Sequence, residues 1–190
     1  KHGDGVKDIA LVVDDVEKAY KDALSRGAIE VSAPKTKSDE HGTIKVAIIG
    51  TYGDTIHTLV ERKNYKGIFM PGFEALETTI PFENTGIVAI DHVVGNVERM
   101  EEWVPYYERV MGFKEMKHFS DDDINTEYSA LMSKVMHNGG RIKFPINEPA
   151  EGKRKSQIEE YLEFYNGPGV QHIALITGDI IDTVTKLKKN

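Results

Sequence analysis

The chain has 190 residues, 39% of them hydrophobic and 29% charged, enough for one large domain or two small ones around a sizeable core. Its formal net charge of −7 argues against a nucleic acid or an anionic membrane as partner, because phosphate binding needs clustered positive charge. With no cysteine, disulfides, thiolate nucleophiles and Cys-based zinc sites are excluded, and a reducing cytoplasm is the simplest expected location. No apolar run approaches the ~20 residues of a membrane-spanning helix. The chain opens Lys1-His2-Gly3 and stops at Asn190 in what reads as the middle of a helix, so a piece of a longer protein is expected.

In chain order, "GVKDIALVVDDVEKAYKDALSRGA" from Gly5 begins as a short β-branched strand and continues as a helix. Val16, Ala19, Tyr20, Ala23 and Leu24 form its buried stripe, Asp14 and Asp15 offer N-terminal caps, and Gly27 is a plausible stop. Strand-like stretches "TIKVAIIGT" and "TIHTLVER" follow, separated by the turn signal Gly53-Asp54. Residues 64–86, punctuated by Gly67, Pro71 and Gly72, read as a linker. "IVAIDHVVGNVERMEEWVPYYERVMGF" repeats the strand and helix, with Met100, Trp103, Val104, Tyr107 and Val110 as its stripe and Gly112 after its end. Pro105 should kink this helix or mark a later start. "TEYSALMSKVM" and "GRIKFPIN" form a hairpin about Asn138-Gly139-Gly140. "GVQHIALITGDIIDTVTKLKKN" from Gly169 then starts a third copy.

Aligned on their first strands, the three copies carry Asp8, His92 and His172 at one equivalent position, so a unit of roughly strand, helix and three strands recurs about every eighty residues. A single imidazole in an apolar strand is ordinarily a core residue bonded to a backbone carbonyl. Two at equivalent positions of duplicated units are another matter, because pseudo-twofold pairing of the units brings both rings to a common axis. Two imidazoles and one carboxylate form the facial triad of non-haem Fe(II) sites, so a metal site stands beside the core-histidine alternative. Strand alternation puts Val170 and Ala174 on the face of His172, and Gln171 and Ile173 on the other. Asp8 at the equivalent place gives the first copy a scaffolding role.

His2, His41, His57, His118 and His137 have no partner of this kind and read as structural. Asp121-Asp122-Asp123 lacks the spaced Gly and Glu of a calcium loop and reads as a solvated turn, and Lys153-Arg154-Lys155 as a solvated loop. Trp103, Tyr106 and Tyr107 read as helix core and rim.

The segments "AIDHVVGNVERMEEWVPYYERVMGF", "PINEPA", "KSQIEEYL" and "GPGVQHIAL" resemble the 4-hydroxyphenylpyruvate dioxygenase family of the vicinal oxygen chelate superfamily. The resemblance covers essentially the whole chain. It implies an α+β fold of repeated βαβββ modules forming curved mixed sheets. Residues 1–63 would be the second module of an N-terminal domain without metal, 64–86 a linker, and 87–190 the start of the catalytic domain. It further implies a non-haem Fe(II) enzyme of tyrosine catabolism that converts 4-hydroxyphenylpyruvate and O2 to homogentisate and CO2, cytoplasmic and homo-oligomeric. His92 and His172 would be the two imidazole ligands, and Ser133, Asn147, Gln157 and Gln171 would bind substrate. The family's third ligand, a glutamate on the last strand of the final module, has no counterpart within the chain. In the first copy the corresponding place is Thr58, fifty positions after Asp8, and the same offset from His172 runs past Asn190. The chain by itself is therefore expected to be inactive and to expose apolar edges. Hydroxymandelate synthase, or a non-catalytic small-molecule-binding module of the same fold, is the alternative.

Overall fold

The computed structural model describes residues 1–77, 83–116, 131–150 and 155–189. His118, the Asp121-Asp122-Asp123 run, Lys153 and Arg154 lie outside the described residues. Two mixed sheets carry the fold. The first is built from β1 (Leu11–Val12), β2 (Ile29–Asp39), β3 (Gly42–Gly50) and β4 (Ile56–Glu61) in the order β1-β4-β3-β2, with α1 (Val16–Ser25) after β1. The second takes β5 (Ile87–Asn96), β6 (Lys114–Glu115), β7 (Leu131–His137), β8 (Lys143–Pro149) and β9 (Gly169–Thr177) in the order β6-β7-β8-β5-β9. Helices α2 (Met100–Met111), α3 (Gln157–Tyr165) and α4 (Ile180–Lys189) accompany it. In each sheet the strand before the helix runs parallel to the last strand of its unit, β1 with β4 and β5 with β8, so the repeat read from the sequence is a repeat of topology. This α+β arrangement is the expected one.

The helix ends follow local chemistry. Asp15 caps α1 through its carboxylate, which accepts from Lys18 N at 2.9 Å, and Gly27 beyond the end has φ +87°. Gly112 takes the left-handed conformation (φ +67°) that stops α2. Pro105 does not delay the start of α2, which runs from Met100. It lies on the exposed side, so the Glu101 carbonyl it leaves without an intrahelical donor can face water. Helix α3 was not anticipated. It begins with a capping box, in which Ser156 Oγ accepts from Glu159 N and the Glu159 side chain accepts from Ser156 N.

Strand alternation sorts the second sheet into two faces. Val93, Val97, Phe144, Ile146 and Met136 are buried in a core with Met100, Val104, Tyr107 and Val110 of α2. Val16, Tyr20, Ala47, Ile49 and Leu59 of the first unit join the same cluster. A buried polar node ties the units together. His57 Nδ1 bonds the Ile9 carbonyl at 3.0 Å and His57 Nε2 the Tyr107 hydroxyl at 2.8 Å, which also meets Thr51 Oγ1 at 3.1 Å. Because a carbonyl only accepts, Nδ1 carries the proton, Nε2 accepts from Tyr107, and the Tyr107 oxygen is left to accept from Thr51. His57 is thus the structural histidine its sequence context suggested, and Tyr106 and Tyr107 are both core. At the other end Ile173, Leu175 and Ile176 of β9 and Ile180, Ile181, Val184 and Leu187 of α4 stand exposed, the apolar edge expected there. No helix among the described residues is long and apolar enough to cross a membrane.

Replacing Tyr107 by Phe should leave His57 Nε2 and the Thr51 hydroxyl buried without partners and lower stability by about 1–3 kcal/mol. Urea unfolding should show a lower midpoint with an unchanged slope. Burial also holds the His57 imidazole below its ordinary pKa. The unfolded chain therefore takes up a proton that the folded chain refuses. The contribution is fully present above the ordinary value of 6.5 and is lost as the pH falls from there through the lower value of the folded chain. Unfolding free energies measured from pH 8 downwards should decline in that window, with a shallower decline in His57→Gln.

Candidate metal and ligand site

The face of the second sheet opposite the core carries a cavity of about 430 Å³. Its walls are mainly apolar, from Val94, Met116, Leu131, Val135 and Pro145, with Asp91, His92, Ser133, Lys143, Asn147 and His172 as the polar groups. Ser133 and Asn147 are cross-strand partners of β7 and β8 and so share a face. Asn147 is nearly buried, and its Nδ2 donates to Asn96 Oδ1 at 3.2 Å.

Strands β5 and β9 pair antiparallel, with His92 opposite Ala174 and Val94 opposite His172, so the two histidines lie diagonally on one face. Their ring centroids are 5.8 Å apart and the rings meet nearly edge to face. Each is preceded by a residue inserted by a β-bulge. Ile90 pairs with Leu175 and His92 with Ala174, which leaves Asp91 extra on β5. Val94 pairs with His172 and Gly95 with Val170, which leaves Gln171 extra on β9. A bulge suspends strict alternation and re-aims side chains. Asp91 therefore lines the cavity beside its chain neighbour His92. His92 Nδ1 donates to Asp91 Oδ2 at 2.6 Å, and His172 Nδ1 donates to Gln171 Oε1 at 3.0 Å. A carboxylate and an amide oxygen only accept, so in both rings the proton sits on Nδ1 and Nε2 keeps its lone pair.

The second Asp91 oxygen accepts from Lys143 Nζ at 2.6 Å. The His92 hydrogen bond and then that of Lys143 hold the Asp91 carboxyl below the usual carboxylate range. Burial, helped by the neighbouring His92, pushes the His172 imidazole down as well. His172 is thereby disposed to stay neutral, the state in which imidazole binds metals. No set of three or more His, Cys, Asp or Glu side chains able to hold a metal occurs among the described residues, so this structure offers two nitrogen donors. Two imidazoles with Nδ1 tied back are a donor pair that fits Zn, Fe or another borderline divalent ion.

The other expected residues fall differently. Gln157 is the first residue of α3 with its side chain exposed, because the capping box turns Ile158 inward instead, and it does not line the cavity. Gln171 does not line it either, and meets His172 because of the bulge. The same bulge corrects Val170. It was expected on the face of His172, but its pairing with Gly95 next to the Val94–His172 pair puts it on the core face, where it is buried. Asp91 and Lys143 were not read from the sequence. The Asp-His dipeptide signals the first, but Lys143 reaches the site only through the parallel β5–β8 pairing.

Residues 89–190 match the Glyoxalase/Bleomycin resistance protein/Dioxygenase superfamily. The chain belongs to this superfamily. Over 99% of its length it is 48% identical to the 4-hydroxyphenylpyruvate dioxygenase of Yarrowia lipolytica and 51% identical to that of Coccidioides posadasii. It covers 50% and 49% of those two proteins, so it spans about half the length of the curated relatives it matches. A solved mutant of the 4-hydroxymandelate synthase from Streptomyces coelicolor has a TM-score of 0.77 to it at 26% identity, covering 99% of this chain and 54% of that one. The two mixed sheets are thus the superfamily's fold in this sequence.

Proposed function

We propose that this chain supplies part of the active site of a non-haem Fe(II) dioxygenase that converts 4-hydroxyphenylpyruvate and O2 to homogentisate and CO2. The observation that carries the reading is the convergence of His92 and His172 on one cavity face, each with Nδ1 tied to the residue before it. In this reading residues 1–63 are a module without metal, 64–86 a linker, and 87–190 the beginning of the catalytic domain. The enzyme is cytoplasmic and homo-oligomeric, with the exposed apolar residues of β9 and α4 as a surface for further chain or another copy to cover.

The Nε2 atoms of His92 and His172 would hold the ferrous ion, with a carboxylate beyond these residues as third ligand. The ion, when bound, supplies a site where an α-keto acid chelates and dioxygen is activated. The rest falls to the protein. Val94, Leu131, Val135 and Pro145 exclude water and hold an aromatic ring by apolar contact. Ser133 and Asn147, adjacent on that wall, offer hydrogen bonds to its hydroxyl end and so set which ring carbon faces the imidazoles. The 48–51% identity to 4-hydroxyphenylpyruvate dioxygenases, against 26% to the 4-hydroxymandelate synthase, favours homogentisate over hydroxymandelate as product.

In the protein extended to the length of its relatives, His92→Ala and His172→Ala should each abolish stoichiometric Fe(II) binding and substrate-dependent oxygen uptake. Retention of one equivalent of iron by both variants would exclude the site. Asn147→Leu should keep the metal but weaken binding of 4-hydroxyphenylpyruvate by about 1–3 kcal/mol, roughly five- to 150-fold, because the isosteric side chain can form no hydrogen bond. Unchanged affinity by calorimetry would move the ring elsewhere.

A further inference from the structure

The two tethers behind the histidines are chemically unequal. His172 leans on a neutral amide, whereas His92 leans on a carboxylate that is itself held by an ammonium group. Lys143, Asp91 and His92 form one chain of charge-assisted hydrogen bonds, 2.6 Å at each link, drawn from two strands. All three residues are only partly exposed, with side-chain exposure near 30%, so the chain is partly shielded from water. Its geometry depends on the bulge. Without the extra residue, Asp91 would point to the core face, where Val93 is buried, and could reach neither partner.

We infer that Asp91, braced by Lys143, is a positioning residue that holds His92 as the Nδ1-protonated tautomer, with Nε2 as the nitrogen free to bind a metal. The carboxylate fixes which nitrogen carries the proton and leaves the lone pair of the other for a metal. Lys143 has a separate part. By occupying the second Asp91 oxygen it stops the carboxylate from swinging off His92 within the cavity wall and keeps its charge from acting as a competing ligand. His92 is then the better-held arm of the pair and His172, on its amide, the more readily displaced. The inference rests on the proposed ligand role of His92, and the test separates the two.

The test uses the whole 190-residue chain with histidine labelled with 15N, free of metal and then titrated with Co(II). Ring 15N shifts report which nitrogen is protonated, and calorimetry reports affinity. Asp91→Ala should move His92 towards the Nε2-protonated tautomer and weaken Co(II) binding by about 10- to 100-fold, with the His172 ring unchanged. Lys143→Met should shift both readouts less in the same direction, and Lys143→Arg should restore them. If Asp91→Ala fails to fold, Asp91→Asn takes its place. It keeps an acceptor but loses the charge, so the tautomer should persist while affinity falls. A carboxylate variant that matches the parent in both tautomer and affinity, or a Lys143→Met that changes nothing, overturns the inference. His92→Ala binding Co(II) as well as the parent would instead overturn the ligand reading, whatever the tautomer shows.

Discussion

The antiparallel pairing of β5 with β9 is the constraint on which the site depends. A pleated strand sends alternate side chains to opposite faces, so a histidine and the residue before it are normally divided between core and cavity. Here both strands insert one residue immediately before the histidine, Asp91 on β5 and Gln171 on β9. A single such insertion moves later residues to the opposite face, and register slips of this kind are tolerated only where a buried face continues to specify the pairing. That condition is met. Val93 and Val170 remain on the core side, and Val94 and His172 stay opposed on the cavity side. Each insertion is thereby converted from a defect in the ladder into a hydrogen-bond acceptor for the ring that follows.

The opposite face explains why the sheet can hold this shape. Phe144, Ile146 and Met136 pack on α2, and Phe144 and Phe113 stack at 5.6 Å. The His57–Tyr107–Thr51 node then joins α2 to the first sheet through fully partnered polar groups. Low dielectric makes such a network costly when it is half satisfied and orienting when complete. Gly95 adds a steric requirement in the same region, since a Cβ there would lie 2.6 Å from Tyr52, a side chain that the first unit buries against β5. The site face of β5 is thus held in place from behind by contacts between units.

Much of this was legible in the sequence because helix periodicity and duplication are local, additive signals. The stripes of α1 and α2 stand in the spacing of Val16, Tyr20 and Ala23, and of Met100, Val104 and Tyr107. The convergence of His92 and His172 follows from their equivalent places in two copies. Helix α3 was overlooked although Ser156 and Glu159 spell its capping box and Ile158, Tyr161, Leu162 and Tyr165 stand at i, i+3, i+4 and i+7, so this signal was present in the sequence even though only Ile158 of the four is fully buried. Gln171 and Val170 were placed by a period of two, and a one-residue bulge is invisible to that rule. Lys143 was beyond reach for a different reason. Its contact with Asp91 spans 52 positions and exists only once a parallel register is chosen.

The first copy shows what the same position does when it holds no histidine. Asp8 stands where His92 and His172 stand, and Thr58 where the last strand of that unit passes nearest. Asp8 Oδ1 accepts from Thr58 N at 3.0 Å and Oδ2 from Thr58 Oγ1 at 2.5 Å. Both carboxylate oxygens are therefore engaged in clamping the chain before β1 to β4, next to the bridge between Asp8 and Ile56. Each Asp8 oxygen accepts one hydrogen bond from β4, which holds the carboxylate against that strand, whereas an imidazole tied at Nδ1 keeps a second nitrogen pointing away from its tether. The chemical difference between the copies is therefore one of valence as much as of charge. A two-ended side chain allows one end to be tied to its own strand while the other stays open, and in the first copy both Asp8 oxygens are instead tied to Thr58.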